Sequence, residues 1–124
     1  MNERRIKLRT GDLELAARLN DGPTADLVWS ALPITASVNT WGDEIYFRTD
    51  VEDEEHDAHE VVEMGDIGYW PPGQALCLFF GATPASRGDE IRPASPVNVV
   101  GAIEGDPAVL RAVEEGDRMI VEKA

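Results

Sequence analysis

Seventeen residues, Gly65–Gly81 (GDIGYWPPGQALCLFFG), constrain the fold of this chain more than any others. Ala75–Phe80 contains no polar side chain and is too short for a buried helix, so it reads as a fully apolar buried strand. Asp66–Trp70 reads as the strand before it, ended by the turn Pro71-Pro72-Gly73. With Trp41-Gly-Asp-Glu-Ile-Tyr-Phe47, this region holds seven of the eight aromatic residues, Trp29 being the exception. Tryptophan and tyrosine join an apolar body to a polar handle, which suits both a core and a binding surface.

The rest of the chain fits one domain spanning residues 1–124. A chain of this length buries roughly two thirds of its extended surface, enough for one core without a metal or disulfide framework. Cys77, the lone cysteine, lies within the apolar strand and is expected to be a buried thiol in a reduced setting. No apolar signal core follows the basic residues near the N-terminus, and no apolar run approaches the length of a membrane span. The expectation is a soluble, cytoplasmic protein. Its 24 acidic and 11 basic residues give a net charge of −13, which repels phosphate backbones and anionic membranes. Nucleic acid and membrane partners are therefore not expected. An acidic surface by itself serves solubility.

Along the chain, Ile6–Arg9 and Leu13–Leu19 alternate as strands around the turn Thr10-Gly11-Asp12. A helix over Ala25–Leu32, capped by Thr24, is stopped by Pro33. Ile34–Thr40 alternates again, Gly42-Asp43 allows a bend, and Glu44–Phe47 resumes extended structure. An acidic loop covers Asp50–Glu60, with a short strand expected over His59–Glu63. Thr83–Pro96 is a loop and Val97–Ile103 a strand interrupted by the polar Asn98. Asp106-Pro107 starts a helix over Ala108–Glu115, with Gly116 as its cap, before a last strand at Arg118–Glu122. Many short strands with two short helices suggest a sandwich or a closed barrel with helices plugging its ends.

This order resembles a cyclophilin: two strands, a helix near Pro23-Thr24, and late in the chain Val99-Val-Gly-Ala-Ile-Glu-Gly105 before a helix and a final strand. The resemblance is closer to the small bacterial and archaeal cyclophilin-like barrel proteins of uncharacterised function. It rests on Val38–Phe47, Gly65–Gly73, Ala75–Gly81 and Ser95–Gly101. It implies a mainly β fold, a closed eight-stranded cyclophilin-like barrel with two short helices capping the ends.

The resemblance also implies a question about prolyl isomerisation. Cyclophilins use an arginine near the prolyl amide, and the corresponding strand here, Ile34–Phe47, has none; Arg48 is the nearest. Phe79, or Phe80 in the other register, stands where a pocket phenylalanine is found. Classical isomerase activity is therefore not expected, and the chain is read as a binding protein rather than an enzyme.

The candidate ligand-binding residues are Trp41, Glu44, Tyr46, Tyr69, Trp70, Cys77 and Phe79, taken as an aromatic groove with a carboxylate. Several of these aromatics are equally expected as packing. Glu44 among aromatics is either an acid or base of raised pKa or a solvent-facing strand residue. Cys77 is a nucleophile only if a base lowers its pKa, and otherwise a structural thiol. Asn39 and Asn98 are strand polar residues able to anchor a ligand or satisfy a buried carbonyl. His56 and His59, in the acidic loop, are weak metal candidates that share a face only in a helix; the loop otherwise reads as solvated. No metal or cofactor is expected. The partners expected are a small molecule or peptide at the groove. The alternatives are an unconventional isomerase or small acid/base enzyme, and an interaction module forming a homodimer.

Overall fold

A computed structural model of the chain describes residues 4–124. The strands are β1 (Arg4–Thr10), β2 (Leu13–Leu19), β3 (Ile34–Ser37), β4 (Asn39–Thr40), β5 (Glu44–Arg48), β6 (Asp66–Trp70), β7 (Ala75–Phe79), β8 (Asn98–Ile103) and β9 (Arg118–Lys123). Helix α1 spans Pro23–Ala31, and 3-10 turns cover Pro71–Gly73 and Pro107–Ala112.

The strands form one sheet in the order β3-β9-β1-β2-β8-β6-β7-β5-β4. Its two margins, β3 and β4, are consecutive pieces of one extended segment parted only at Val38. At that residue the chain leaves β9 for β5. Val38 N–H donates to the Asp117 carbonyl at 2.8 Å, and the Val38 carbonyl accepts from Gly116 N–H at 2.8 Å. The sheet therefore closes on itself through a single kinked strand. Counting β3 and β4 as that one strand gives the expected eight. Closure leaves no long free edge, which is how a small all-β domain avoids edge-to-edge association.

Alternation along each strand sends every second side chain inward. Ile6 and Leu8 of β1, Ile45 and Phe47 of β5, and Leu76 and Leu78 of β7 meet in the barrel interior. Helix α1 covers the end of the barrel reached by β2, burying Ala25 and Val28 in the same core. At the opposite end, Ala112 and Val113 border Thr10–Leu13, where β2 begins, and Leu110 points into the core.

Proline occupies the first turn of both α1 and the Pro107–Ala112 segment, and the expected cap is found only at the second. Asp106 accepts a hydrogen bond from Ala108 N–H at 3.0 Å, as its capping role requires, although the segment that follows is a short 3-10 helix rather than a helix to Glu115. Thr24 is not the cap of α1. Pro23 takes the first helical position, which moves the cap back to Gly22, and the Thr24 hydroxyl is used elsewhere. The expected strand over His59–Glu63 is reduced to two isolated bridges, His59 with Val97 and Val62 with Ile91.

The wall made by β5, β7 and β6 is buried on both faces. Its outer side carries Cys77 and Phe79, covered by Val62, Ile91 and Val97 to form a second, smaller core. This explains the unbroken apolar sequence of Ala75–Phe80: a strand with both faces covered has no place for a polar side chain. Residues 82–97, the cover, also form one side of the cavity that follows.

Candidate functional site

A cavity of about 220 Å³ opens on the outer face of this wall. Its lining residues are Trp41, Glu44, Tyr46, Trp70 and Cys77, together with Pro93, Ala94 and Val97 from the covering segment. Strand register accounts for the grouping. Tyr46 on β5 is paired with Cys77 on β7, and Cys77 with Gly68 on β6, so outward-facing neighbours converge on one patch. Gly68 leaves room there: a Cβ on it would lie 2.8 Å from Val97 Cγ2 and 3.3 Å from Phe79 Cε2.

The aromatic walls are held by neighbouring chain. Trp70 Nε1 donates to Ser95 Oγ at 2.6 Å, and the Trp70 ring lies over Gly73, where a Cβ would come within 2.6 Å of ring carbons. The Pro-Pro-Gly turn thus serves as a flat seat for the indole. Tyr46 and Trp70 meet edge to face, with centroids 6.5 Å apart and planes at 70°, so their rings form a corner. Trp41 is set by the bend that follows it. Trp41 N–H donates to the Glu44 carbonyl at 2.9 Å, and Asp43 N–H to the Ala82 carbonyl at 2.8 Å. Gly42 sits at φ +62°, and a Cβ on it would lie 2.8 Å from Pro84 Cδ, so the bend and the covering segment fit each other only with glycine there.

Glu44 is the polar feature of the cavity. It is only 5% exposed, and its Oε1 has no hydrogen-bond partner. Burial raises its pKa from 4.5 to about 7; the Cys77 thiol, hydrogen-bonded to the carboxyl, lowers it only in part. Cys77 is pushed up well above its ordinary value, first by burial and then by the charge and hydrogen bond of Glu44. Both effects favour the thiol over the thiolate, the form that acts as a nucleophile.

Of the seven expected binding residues, the structure brings Trp41, Glu44, Tyr46, Trp70 and Cys77 to one cavity. Tyr69 and Phe79 are not among its lining. Tyr69 neighbours Trp70 on an extended strand, and so points the opposite way, into the barrel, where it is fully buried and donates to the Val51 carbonyl at 2.7 Å. Phe79 lies on the outer face but packs under Val97 in the second core. Pro93, Ala94 and Val97 were missed by sequence reasoning, because a turn-rich loop carries no local signal of what it will cover. Asn39 is exposed on β4. Arg48 lies at the far end of β5, exposed and bonded to Gln74 Oε1 at 2.9 Å, and no arginine lines the cavity among the described residues.

The acidic loop is not helical, so His56 and His59 do not share a helical face. Asn98 explains how it is anchored. Its Nδ2 donates to Thr24 Oγ1 at 3.0 Å and to the Glu54 carbonyl at 2.8 Å, while its Oδ1 accepts from His56 N–H at 2.9 Å. Thr24 Oγ1 in turn donates to Asp53 Oδ2 at 2.7 Å, and the His56 ring lies 2.9 Å from Asp53 Oδ1. Burial pushes the Asp53 pKa up, but the hydrogen bonds from Thr24, His56 and Glu54 N–H outweigh it and hold it below its ordinary value. His59 bridges Val97 through its backbone at 2.8 and 3.1 Å. Among the described residues, no group of three or more His, Cys, Asp or Glu is placed to hold a metal ion. Thr24, His56 and Asn98 of this network also line the hollow beside it, and Asn98 is a structural anchor. Replacing Asn98 by Ala takes the partner from the Glu54 carbonyl and the His56 N–H and leaves Thr24 Oγ1 with its bond to Asp53 alone, at a cost of about 2 kcal/mol. Limited proteolysis is expected to cut within residues 52–58 faster in that variant than in the wild type, and equal cutting would deny Asn98 the anchoring role.

No helix of the described residues is long and apolar enough to cross a membrane. The Cyclophilin-like family model matches residues 4–122. A search of curated proteins finds no match. Among solved structures, a hypothetical protein from Archaeoglobus fulgidus, determined in solution, is 45% identical in sequence. The match has a TM-score of 0.82 and covers 98% of this chain and 95% of that one. With the barrel, its outer-wall cavity and this match over nearly the whole length, the chain belongs to the Cyclophilin-like family.

Proposed function

We propose that the protein binds a small molecule, or a single side chain of a peptide, in the cavity between Trp41, Tyr46, Trp70 and residues 93–97. The observation that carries this reading is Glu44: a buried carboxyl with an unpartnered oxygen beside an open apolar cavity. A buried polar group without a partner costs about 1–3 kcal/mol, and a ligand is one partner that removes the cost. Two further features support it. The volume of about 220 Å³ is smaller than the roughly 300–1,000 Å³ of sites for drug-sized ligands, and suits a compact group. One wall is held in place, since Trp70 is bonded to Ser95 and seated on Gly73.

Binding without prolyl isomerisation is the form of this function that the residues favour. Weakening the amide resonance of a prolyl bond calls for a positive donor at the amide, against a barrier of ~20 kcal/mol. The charged group lining this cavity is instead a carboxyl.

A fragment library and short proline-containing peptides, screened by NMR through the indole N–H signals of Trp41 and Trp70, tests the reading. Saturable shifts are expected for some compact ligands in the wild type and none in Ala94→Trp, whose exposed position at the cavity rim lets the new ring block entry while leaving the fold intact. Proline-peptide isomerisation is expected to run at its uncatalysed rate. Shifts from no compound, or shifts that survive the Ala94→Trp block, would overturn the proposal.

A further inference from the structure

The chemistry around Glu44 narrows the class of ligand. Three of the eight lining residues are aromatic, and Pro93, Ala94 and Val97 add apolar surface. Among the described residues no lysine, arginine or histidine lines the cavity. The titratable groups beside Glu44 are Cys77 on β7 and Tyr46 on its own strand; β6 contributes Trp70, and the covering segment contributes no titratable side chain. A carboxylate 5% exposed and without a counter-charge is costly to ionise, and a positive charge beside it would offset that cost.

Four ligand classes can be weighed against these facts. An anion is repelled by Glu44 and by the net charge of −13. A neutral apolar group fills the volume but leaves Glu44 Oε1 unpartnered. A primary ammonium brings three donors, each needing an acceptor. The lining side chains offer fewer than three oxygen acceptors, Glu44 Oε1 and the Tyr46 hydroxyl, since Trp70 Nε1 is itself a donor engaged by Ser95. An alkylated ammonium has no such demand. Its charge is spread over methyl groups that pack against ring faces, and it needs only the field of a nearby carboxylate, which is strong where water is excluded. The corner formed by Tyr46 and Trp70, planes at 70°, offers two such faces, and Trp41 lines the same cavity.

The geometry points to an organic cation with an alkylated ammonium head as the ligand of the cavity lined by Trp41, Glu44, Tyr46, Trp70 and Cys77; this inference rests on the binding role proposed above. Such a ligand favours the ionised carboxylate, so binding releases the proton that Glu44 carries in part near neutral pH. With a free pKa of about 7, affinity rises about tenfold between pH 6 and pH 8.5.

Choline is the probe, with its uncharged analogue, in which a quaternary carbon replaces nitrogen, as the control. Binding is read by NMR on the Trp41 and Trp70 indoles at pH 6 and pH 8.5, at constant ionic strength. The expected result is saturable choline binding that strengthens about tenfold at the higher pH. The analogue should bind at least tenfold more weakly at pH 8.5, and both Glu44→Gln and Ala94→Trp should abolish the choline response. Equal or tighter binding of the analogue, or affinity that falls as pH rises, overturns the cation inference while leaving a binding cavity. A choline response that persists in Ala94→Trp is attraction to the acidic surface, and also overturns it. If the fragment screen finds ligands blocked by Ala94→Trp but choline does not bind, only this inference falls. If neither binds, both readings fall.

Discussion

Replacing Gly101 by Ala should unfold the barrel more readily than any other glycine-to-alanine change in this chain. Gly101 lies in β8, paired on one side with Leu19 of β2 and on the other with Ile67 of β6. A Cβ there would sit 2.2 Å from the Arg18 carbonyl oxygen and 3.0 Å from the Leu19 Cα. Both are backbone atoms of a paired strand, so no side-chain rotation relieves the overlap. β2 must move away from β8, which breaks the sheet where the first two strands join the rest. The expected loss is at least ~3 kcal/mol, in the range reserved for backbone clashes and core defects, or a fall in Tm of roughly 10 °C or more. Gly11→Ala is the matched control. Its φ is +57°, but a Cβ there meets nothing within 4 Å, so only left-handed strain of about 1 kcal/mol is expected. Urea unfolding of the two variants side by side decides the matter, and equal losses would show that the close approach of β2 and β8 is not what requires glycine.

Glu44→Gln should do the reverse and stabilise the protein, increasingly so as pH rises from about 5 towards 8. The folded-state pKa of Glu44 is raised by burial to about 7, against 4.5 when exposed. A carboxyl whose folded pKa is raised holds its proton more tightly in the folded state. Its favourable contribution is complete below pH 4.5 and is lost as pH climbs through 7. That interval corresponds to roughly 3 kcal/mol, most of it lost between about pH 5 and pH 8. Glutamine cannot ionise, so the variant avoids the loss. At pH 8 it should exceed the wild type by about 2 kcal/mol, or roughly 8 °C in Tm, with the two close together at pH 5. A difference that stays constant across this range would mean that Glu44 is not the group being titrated. A carboxyl kept at this cost in the wild type is what a ligand-facing role explains and a packing role does not.

Much of the architecture was legible because local chemistry dictated it. The apolar run Ala75–Phe80 had to be a doubly covered strand, and Asp106-Pro107 had to start a helical turn. Thr24 misled because capping side chains and buried hydroxyls use the same residue types; the neighbouring Pro23, at the first helical position, was the better guide. At the site, the outcome turned on parity. Tyr69 and Trp70 are adjacent, and adjacent residues of a strand face opposite ways, so only one of them could reach an outer cavity. The covering residues Pro93, Ala94 and Val97 were not legible, since their position depends on the bridges His59–Val97 and Val62–Ile91 between segments distant in sequence. The same holds for Asn98, flagged as polar within a strand, whose partners Thr24, Glu54 and His56 come from two other parts of the chain.

The placement of β9 has a consequence for the order in which this molecule can assemble. β9 lies between β1 and β3, pairing Leu8 with Val121 on one side and Ile34 with Val121 on the other. Without β9 the sheet is open, with β1 and β3 each lacking a neighbour. Until residues 118–123 slot between them, both edges offer unsatisfied backbone groups to any passing strand. Closure joins the most distant parts of the chain, the kind of contact that makes folding slow. Until it is seated, β9 has to compete with other chains for the place between β1 and β3.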